Sequence, residues 1–273
     1  MIDAHTHILP DLSLNIFKPI LSDPIYISLF SNNQAISNSN HLISEMKKNK
    51  IDRSVTLGYG WASIEAIRLF NDYNLKASKE FSNQIIPFCS ANPKLGSSNV
   101  VEIKRALTSG AKGIGEIHPD SQKLDLEDKK LWEGTMNLAR ESSSPVVIHS
   151  SEPVGHSYAG KGNTTPRKLY NFIKMFPENK IILAHWGGGL MFYELMEEVK
   201  QLSKNVYYDT AATSFLYNSN IFTVAKNIIG TKKIIFGSDF PLLNPQRILK
   251  EFKTMNETEI ENITNNNLLA LLG

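Results

Sequence analysis

Eight short β-branched or apolar runs punctuate the chain, at residues 1–7, 53–59, 84–92, 111–117, 145–152, 180–186, 205–212 and 232–241. Each reads as a strand. Outside residues 8–40 their starts fall about 25–35 residues apart, the length of one strand–helix unit. Residues 146–148, 181–184 and 234–236 are almost continuously apolar, as expected of strands covered on both faces. Between the runs, apolar positions recur at three- and four-residue spacing: Ile64, Ile67, Leu69 and Phe70; Leu131, Met136, Leu138 and Ala139; Leu169, Phe172, Ile173 and Phe176; Leu195, Met196, Val199 and Leu202. Ser63, Asp128 and Thr165 before Pro166 supply helix starts. Eight such units predict a (β/α)8 TIM barrel, one domain over residues 1–273. The competitor, a doubly wound open sheet, would carry a glycine fingerprint after its first strand. Here that position reads His5-Thr6-His7, and Gly58-Tyr59-Gly60 follows the second strand without a third glycine.

Two segments depart from the rhythm. Residues 8–40 form a long loop after strand one, and their aromatics Phe17, Tyr26 and Phe30 predict a folded flap over the barrel mouth. Residues 256–273 predict a closing helix, with Ile260, Ile263, Leu268 and Leu271 packing outside the barrel. A formal charge of +2 is no nucleic-acid footprint, and no run of 18 apolar residues exists to cross a membrane. Cys89 stands alone, so neither an internal disulfide nor a thiolate zinc site is expected, and Cys89 itself reads as a small packing residue. Residues 1–12 lack a cationic segment followed by an apolar run, which predicts a cytoplasmic protein without a signal peptide.

The chemistry-bearing residues stand at strand ends. His5 and His7 close strand one, Glu116 and His118 strand four, His149 strand five, His185 strand six and Asp239 strand eight. In a barrel all these ends meet at one rim. Singly, each has a plain reading: a surface histidine pair, a satisfied core imidazole, a helix-capping aspartate. Together they predict a divalent-metal site of imidazoles and carboxylates without thiolate, Zn²⁺ first and Mn²⁺ as the alternative.

Ile2-Asp3-Ala4-His5-Thr6-His7, Val146-Val147-Ile148-His149, Leu183-Ala184-His185-Trp186-Gly187-Gly188 and Phe236-Gly237-Ser238-Asp239-Phe240-Pro241 resemble the amidohydrolase superfamily. More narrowly they resemble its amidohydrolase-related group of metal-dependent hydrolases and decarboxylases. That resemblance implies that His5, His7, His149 and Asp239 ligate the metal, while His185 acts as a base or binds a second ion. Gly113-Ile114-Gly115-Glu116-Ile117-His118 is also similar to TatD-type deoxyribonucleases, so Glu116 either bridges two ions or orients a histidine. One ion or two stays open. Many barrels of this kind are dimers, and a homodimer is an expectation of the same sort.

Residues 151–162 follow His149 and hold three glycines, so the loop can fold over the rim. Glu152, His156, Tyr158 and Lys161 are its candidate substrate contacts, with His118 beside them. Lys161 with Arg167 offers a grip for a substrate carboxylate. Gly187–Gly189 reads either as an anion-binding turn or as a plain tight turn. Asp209 either orients a ligand or caps a helix; Asp3 reads as buried support, and Trp61 and Trp186 as packing residues. The leading function is hydrolysis of an amide, lactone or ester carbonyl of a small anionic substrate by metal-activated water, with Asp239 or His185 moving the proton. The alternatives are a metal-dependent decarboxylase, then a phosphodiesterase, and outside enzymes a metal-stabilised binding protein.

Overall fold

The computed structural model describes residues 1–30, 34–158 and 160–273; residues 31–33 of the expected flap and Ala159 of the 151–162 loop lie outside the described residues. Strands β1 (Ile2–His7), β2 (Arg53–Leu57), β3 (Ile85–Cys89), β4 (Gly113–Ile117), β5 (Val146–Ile148), β6 (Ile181–Leu183), β7 (Val206–Asp209) and β8 (Ile234–Ile235) pair in chain order, every pair parallel. The sheet closes where the chain beyond β8 meets β1: Ala4 N–H donates to Phe236 O, His7 N–H to Phe240 O and Asp239 N–H to His5 O, at 2.7–2.9 Å. With helices between the strands, this is the (β/α)8 barrel.

Side chains sort by strand alternation. Val55, Leu57, Ile86, Phe88, Val147, Ile182 and Ile235 fill the interior. Val146, Ile148, Ile181, Leu183, Val206 and Ile234 pack outward against the helices. Helices Ile64–Glu80, Lys129–Glu141 and Pro166–Met175 begin directly after Ser63, Asp128 and Thr165. Ser63 and Asp128 accept the N–H of Ala66 and Leu131, which satisfies donors left free in the first turn. Among the described residues no helix is long and apolar enough to cross a membrane.

Two expectations need correction. The tail is helical in pieces, Glu257–Glu261, a π segment and Asn267–Leu272, but Leu268 and Leu271 join the interior cluster beside Ile2 rather than packing outside. Asn267 Nδ2 reaches the carbonyls of Thr231 and Ile234, which docks the tail on β8. Each buried leucine contributes about 1.5–3 kcal/mol, enough for the tail to serve as a barrel plug. In the stretch after β6, Leu195 and Met196 lie exposed because the helix starts only at Glu197.

The flap is folded. Leu9, Ile20 and Ile25 bury against Trp61, Ala66, Ile67 and Phe70, with Phe17, Tyr26 and Phe30 packed around them. Its polar staple is Asp23, buried, whose carboxylate accepts the N–H groups of Ile25, Ala62 and Ser63 and the Ser63 hydroxyl at 3.0–3.2 Å. Replacing Asp23 with Ala strands these donors and is expected to cost about 1–3 kcal/mol in urea unfolding, with faster proteolysis between residues 8 and 30. Unchanged stability and cleavage would remove Asp23 from this role.

Candidate metal centre

Strict alternation would not deliver four of the central side chains, His5 and His7 among them. Between Asp3 and Thr6, β1 advances three residues against two on β2, so both Ala4 and His5 face inward and the phase between Asp3 and His5 is broken. A second bulge between Ile114 and Ile117 turns Glu116 inward, between two outward isoleucines. Gly115 is required there: its φ is 128°, and a Cβ would stand 2.6 Å from Val147 O. After β6, Ala184 faces the interior, so alternation alone sends the next residue out. His185 instead opens a left-handed turn, with φ 57° at His185, 59° at Trp186 and 56° at Gly188. The turn is buried against Ser151, and Trp186 Nε1 donates to Thr213 Oγ1. Gly187–Gly189 thus form a packed tight turn.

Glu116 occupies the middle. Its Oε2 lies 3.6 Å from both His5 Nε2 and His7 Nε2. Its Oε1 lies 2.9 Å from His149 Nδ1 and 3.6 Å from His185 Nε2. Asp239 Oδ1 stands 3.6 Å from His5 Nε2 and His7 Nε2, which are 3.1 Å apart; His185 Nε2 and His149 Nδ1 are 3.2 Å apart. All six residues are buried or nearly so.

The outer nitrogen of every one of these four imidazoles meets an oxygen that only accepts: Asp209 Oδ2 for His5 at 2.8 Å, Leu57 O for His7 at 3.3 Å, Gly160 O for His149 and Ala211 O for His185, both at 3.2 Å. In their neutral forms His5, His7 and His185 thereby direct the N–H outward and turn a lone pair inward, while His149 meets acceptors on both sides, with Glu116 Oε1 2.9 Å from its Nδ1. Four ring nitrogens and the oxygens of Glu116 and Asp239 then converge on one place. Such a set fits a cation. Ligands about 2.0–2.1 Å from a tetrahedral zinc-like ion lie about 3.3 Å from one another, close to the separations seen. His5, His7 and Asp239, and again His5, Glu116 and His185, form groups able to hold an ion.

The electrostatics point the same way. Burial pushes His5 down, but the Asp209 and Glu116 charges outweigh it and hold the ring well above its ordinary value, so the acceptors that suit a cation also draw a proton onto His5. Burial likewise opposes ionisation of Glu116, and the His5 and His149 charges overcome it, holding the carboxyl well below its usual range. His7 is pushed down to about 4 by burial and the neighbouring His5. The centre draws positive charge into a dry place. Asp209 also accepts from the N–H of His185 and of Ala211, so it orients rather than caps. Asp3 is buried, accepts from Ser238 N–H and His5 N–H, and is raised by burial to about 6.

Two cavities flank the centre and share His149, His185 and Asp239. The larger, about 290 Å³, is walled by His156, Tyr158, Phe215, Leu216 and Leu242. The smaller, about 100 Å³, is walled by His7, Phe30, Tyr59, His118 and Gly160. Tyr59 stacks on His7 at 4.4 Å between ring centres; it stands two residues beyond inward Leu57, a spacing that could have marked it. Phe215, Leu242 and Gln34 carried no such signal. Glu152 Oε2 accepts from Tyr158 Oη at 2.8 Å, behind the larger cavity. Lys161 lines neither cavity: its ammonium donates to Val154 O and His156 O, pinning the loop. Arg167 lies exposed on an outer groove, so the structure does not bring it together with Lys161.

The turn after β6 gives a direct check. A Cβ at Gly188 would stand 2.4 Å from Ser151 O, whereas Gly230, also at positive φ, has open space. Gly188→Ala incurs about 1–2 kcal/mol of left-handed backbone strain, and Gly230→Ala, at φ 73° and ψ 159°, about 1–3 kcal/mol. Gly188→Ala adds a backbone clash beside His185 and should unfold at clearly lower urea than Gly230→Ala. Equal losses would contradict the close packing.

The sequence profile of the amidohydrolase family (Amidohydro_2) matches residues 2–273. No curated protein sequence matches the chain. Among solved structures, the chain is similar to 5-carboxyvanillate decarboxylase from Sphingomonas paucimobilis, with TM-score 0.79, 12% identity, and 100% of this chain and 98% of that one covered. It is similar to a dihydroxybenzoic acid decarboxylase from Polaromonas sp. with bound manganese, with TM-score 0.76, 17% identity and coverage of 99% and 96%. It is also similar to a probable 2-pyrone-4,6-dicarboxylic acid hydrolase from Acinetobacter baumannii, with TM-score 0.69, 17% identity and coverage of 100% and 98%. These likenesses fix the barrel, and the match over residues 2–273 shows that the chain belongs to the amidohydrolase family.

Proposed function

We propose that the chain is a metal-dependent hydrolase acting on the carbonyl of a small molecule, with two ions held across Glu116. His5, His7, Asp239 and Glu116 Oε2 would hold one ion; His149, His185 and Glu116 Oε1 the other. The observation that carries this is the division of one carboxylate between two histidine pairs. Zinc suits the imidazole and carboxylate donors, and manganese suits them as well. Bound there, divalent ions supply Lewis-acid polarisation of a carbonyl and acidification of water.

The protein's own groups do the rest. Asp239 lines both cavities beside the centre, which suits it to take a proton from water there and return it to the leaving group. Asp209 holds His5 and the His185 backbone in place. Phe215, Leu216 and Leu242 give the substrate body an apolar wall. A cavity of about 290 Å³ suits a small molecule rather than a polymer. Neither cavity is lined by Lys or Arg among the described residues, so an anionic substrate would find its positive charge at the centre itself.

Decarboxylation is the second reading. The same apolar wall suits an aromatic carboxylate, and two of the similar structures are decarboxylases. Elemental analysis of protein purified without chelator is expected to find two ions per chain, and Glu116→Gln to keep no more than one. Small amides, lactones and esters in ¹⁸O-labelled water should yield labelled acid. Release of CO₂ from aromatic carboxylates, with one ion per chain, would favour the decarboxylase. Full turnover by metal-depleted protein would contradict both.

A further inference from the structure

Of the five imidazoles gathered around Glu116, His118 is wired in the opposite sense. Its Nδ1 accepts the backbone N–H of Ser121 at 3.3 Å, in the first turn of Pro119–Gln122. An Nδ1 that accepts leaves the proton of the neutral ring on Nε2. That Nε2 is buried, His118 being 6% exposed, and has no hydrogen-bond partner among the described residues. The ring is not free to turn away. It stacks on His149 at 3.7 Å between centres and 15° between planes, and Gly160 passes over Nε2. A buried N–H without an acceptor costs about 1–3 kcal/mol, so a group held this way in a cavity wall points to a ligand.

We infer that the His118 Nε2–H is a substrate-binding donor, and that the substrate carries a second acceptor oxygen, a carboxylate or carbonyl, on a carbon close to the reacting carbonyl. This rests on the metal-centre reading above and extends it to the substrate. The smaller cavity, about 100 Å³, has room for such a group and little more. His118 lines this small cavity together with His149 and Glu116, so a group on its N–H and a group at the centre are separated by only a short gap. Neighbouring or next-neighbouring carbons span that gap. The substrate body then extends past His185 and Asp239 into the larger cavity.

Malonate and acetate are the probes, since only malonate has a second carboxylate at this spacing. In Zn²⁺-loaded protein labelled with ¹⁵N-histidine, His118 should show the Nε2–H tautomer. Malonate should shift its ring N–H resonance downfield and acetate should leave it in place. His118→Phe preserves the stacked ring and removes the donor; it should weaken malonate about ten- to a hundredfold, with acetate affinity and ion content unchanged. The wild-type resonance keeps the test open if that variant folds poorly. An Nδ1–H tautomer, a resonance indifferent to malonate, or equal malonate affinity in the variant would overturn the inference. A protein that binds no ion sinks both this inference and the hydrolase reading, whereas a loaded protein whose His118 ignores malonate sinks this one alone.

Discussion

The centre depends on how four imidazoles are held. Asp209, Leu57 O, Gly160 O and Ala211 O each stand against the outer nitrogen of one imidazole and hold that ring with its other nitrogen toward Glu116 and Asp239. Without those acceptors the rings could rotate or exchange tautomers and bond to one another. With them, the interior of the rim is a shell of acceptors, and only positive charge satisfies it.

That shell strains the backbone. Two bulges interrupt β1 and β4, and His185 and Asp239 both sit at positive φ. Left-handed or otherwise sparse conformations cost about 1–3 kcal/mol each outside glycine, and they persist only where surrounding packing overdetermines them. Here the surroundings are rigid. Below lies the barrel interior with the Leu268–Leu271 plug; around it lie helices whose aromatic residues Trp132, Phe172 and Phe222 are wholly buried. These distortions aim side chains at the rim.

This division explains what the sequence made legible. The strand rhythm and the caps Ser63 and Asp128 are local, so the barrel and its helix starts follow from spacing. The strand-end position of His7 and His149 is likewise local; parity turns His149 inward, whereas His7 shares with His5 the shift made by the β1 bulge. Glu116 and His185 are different: their parity with outward neighbours is reversed by a bulge and by a left-handed turn, whose geometry rests on contacts with Val147 and Ser151 far along the chain. The bonding of Lys161 to its own loop was illegible for the same reason, since a long cation reads identically in sequence whether it meets substrate or carbonyl. Leu268 and Leu271 carried the right hydrophobicity, but not the information that they plug the barrel rather than cover it.

His118 shows the same wiring principle run backwards: a backbone N–H occupies Nδ1, which leaves the proton of the neutral ring on Nε2. A shell of acceptors with one donor beside it gives the site two kinds of recognition, one for a cation and one for an oxygen. The most direct measurement of the central claim is anomalous diffraction from crystals grown with Mn²⁺. The account requires two peaks flanking the Glu116 carboxylate, one toward His5 and His7 and one toward His149 and His185. A rim without any anomalous peak, with imidazoles bonded to one another in its place, would contradict it.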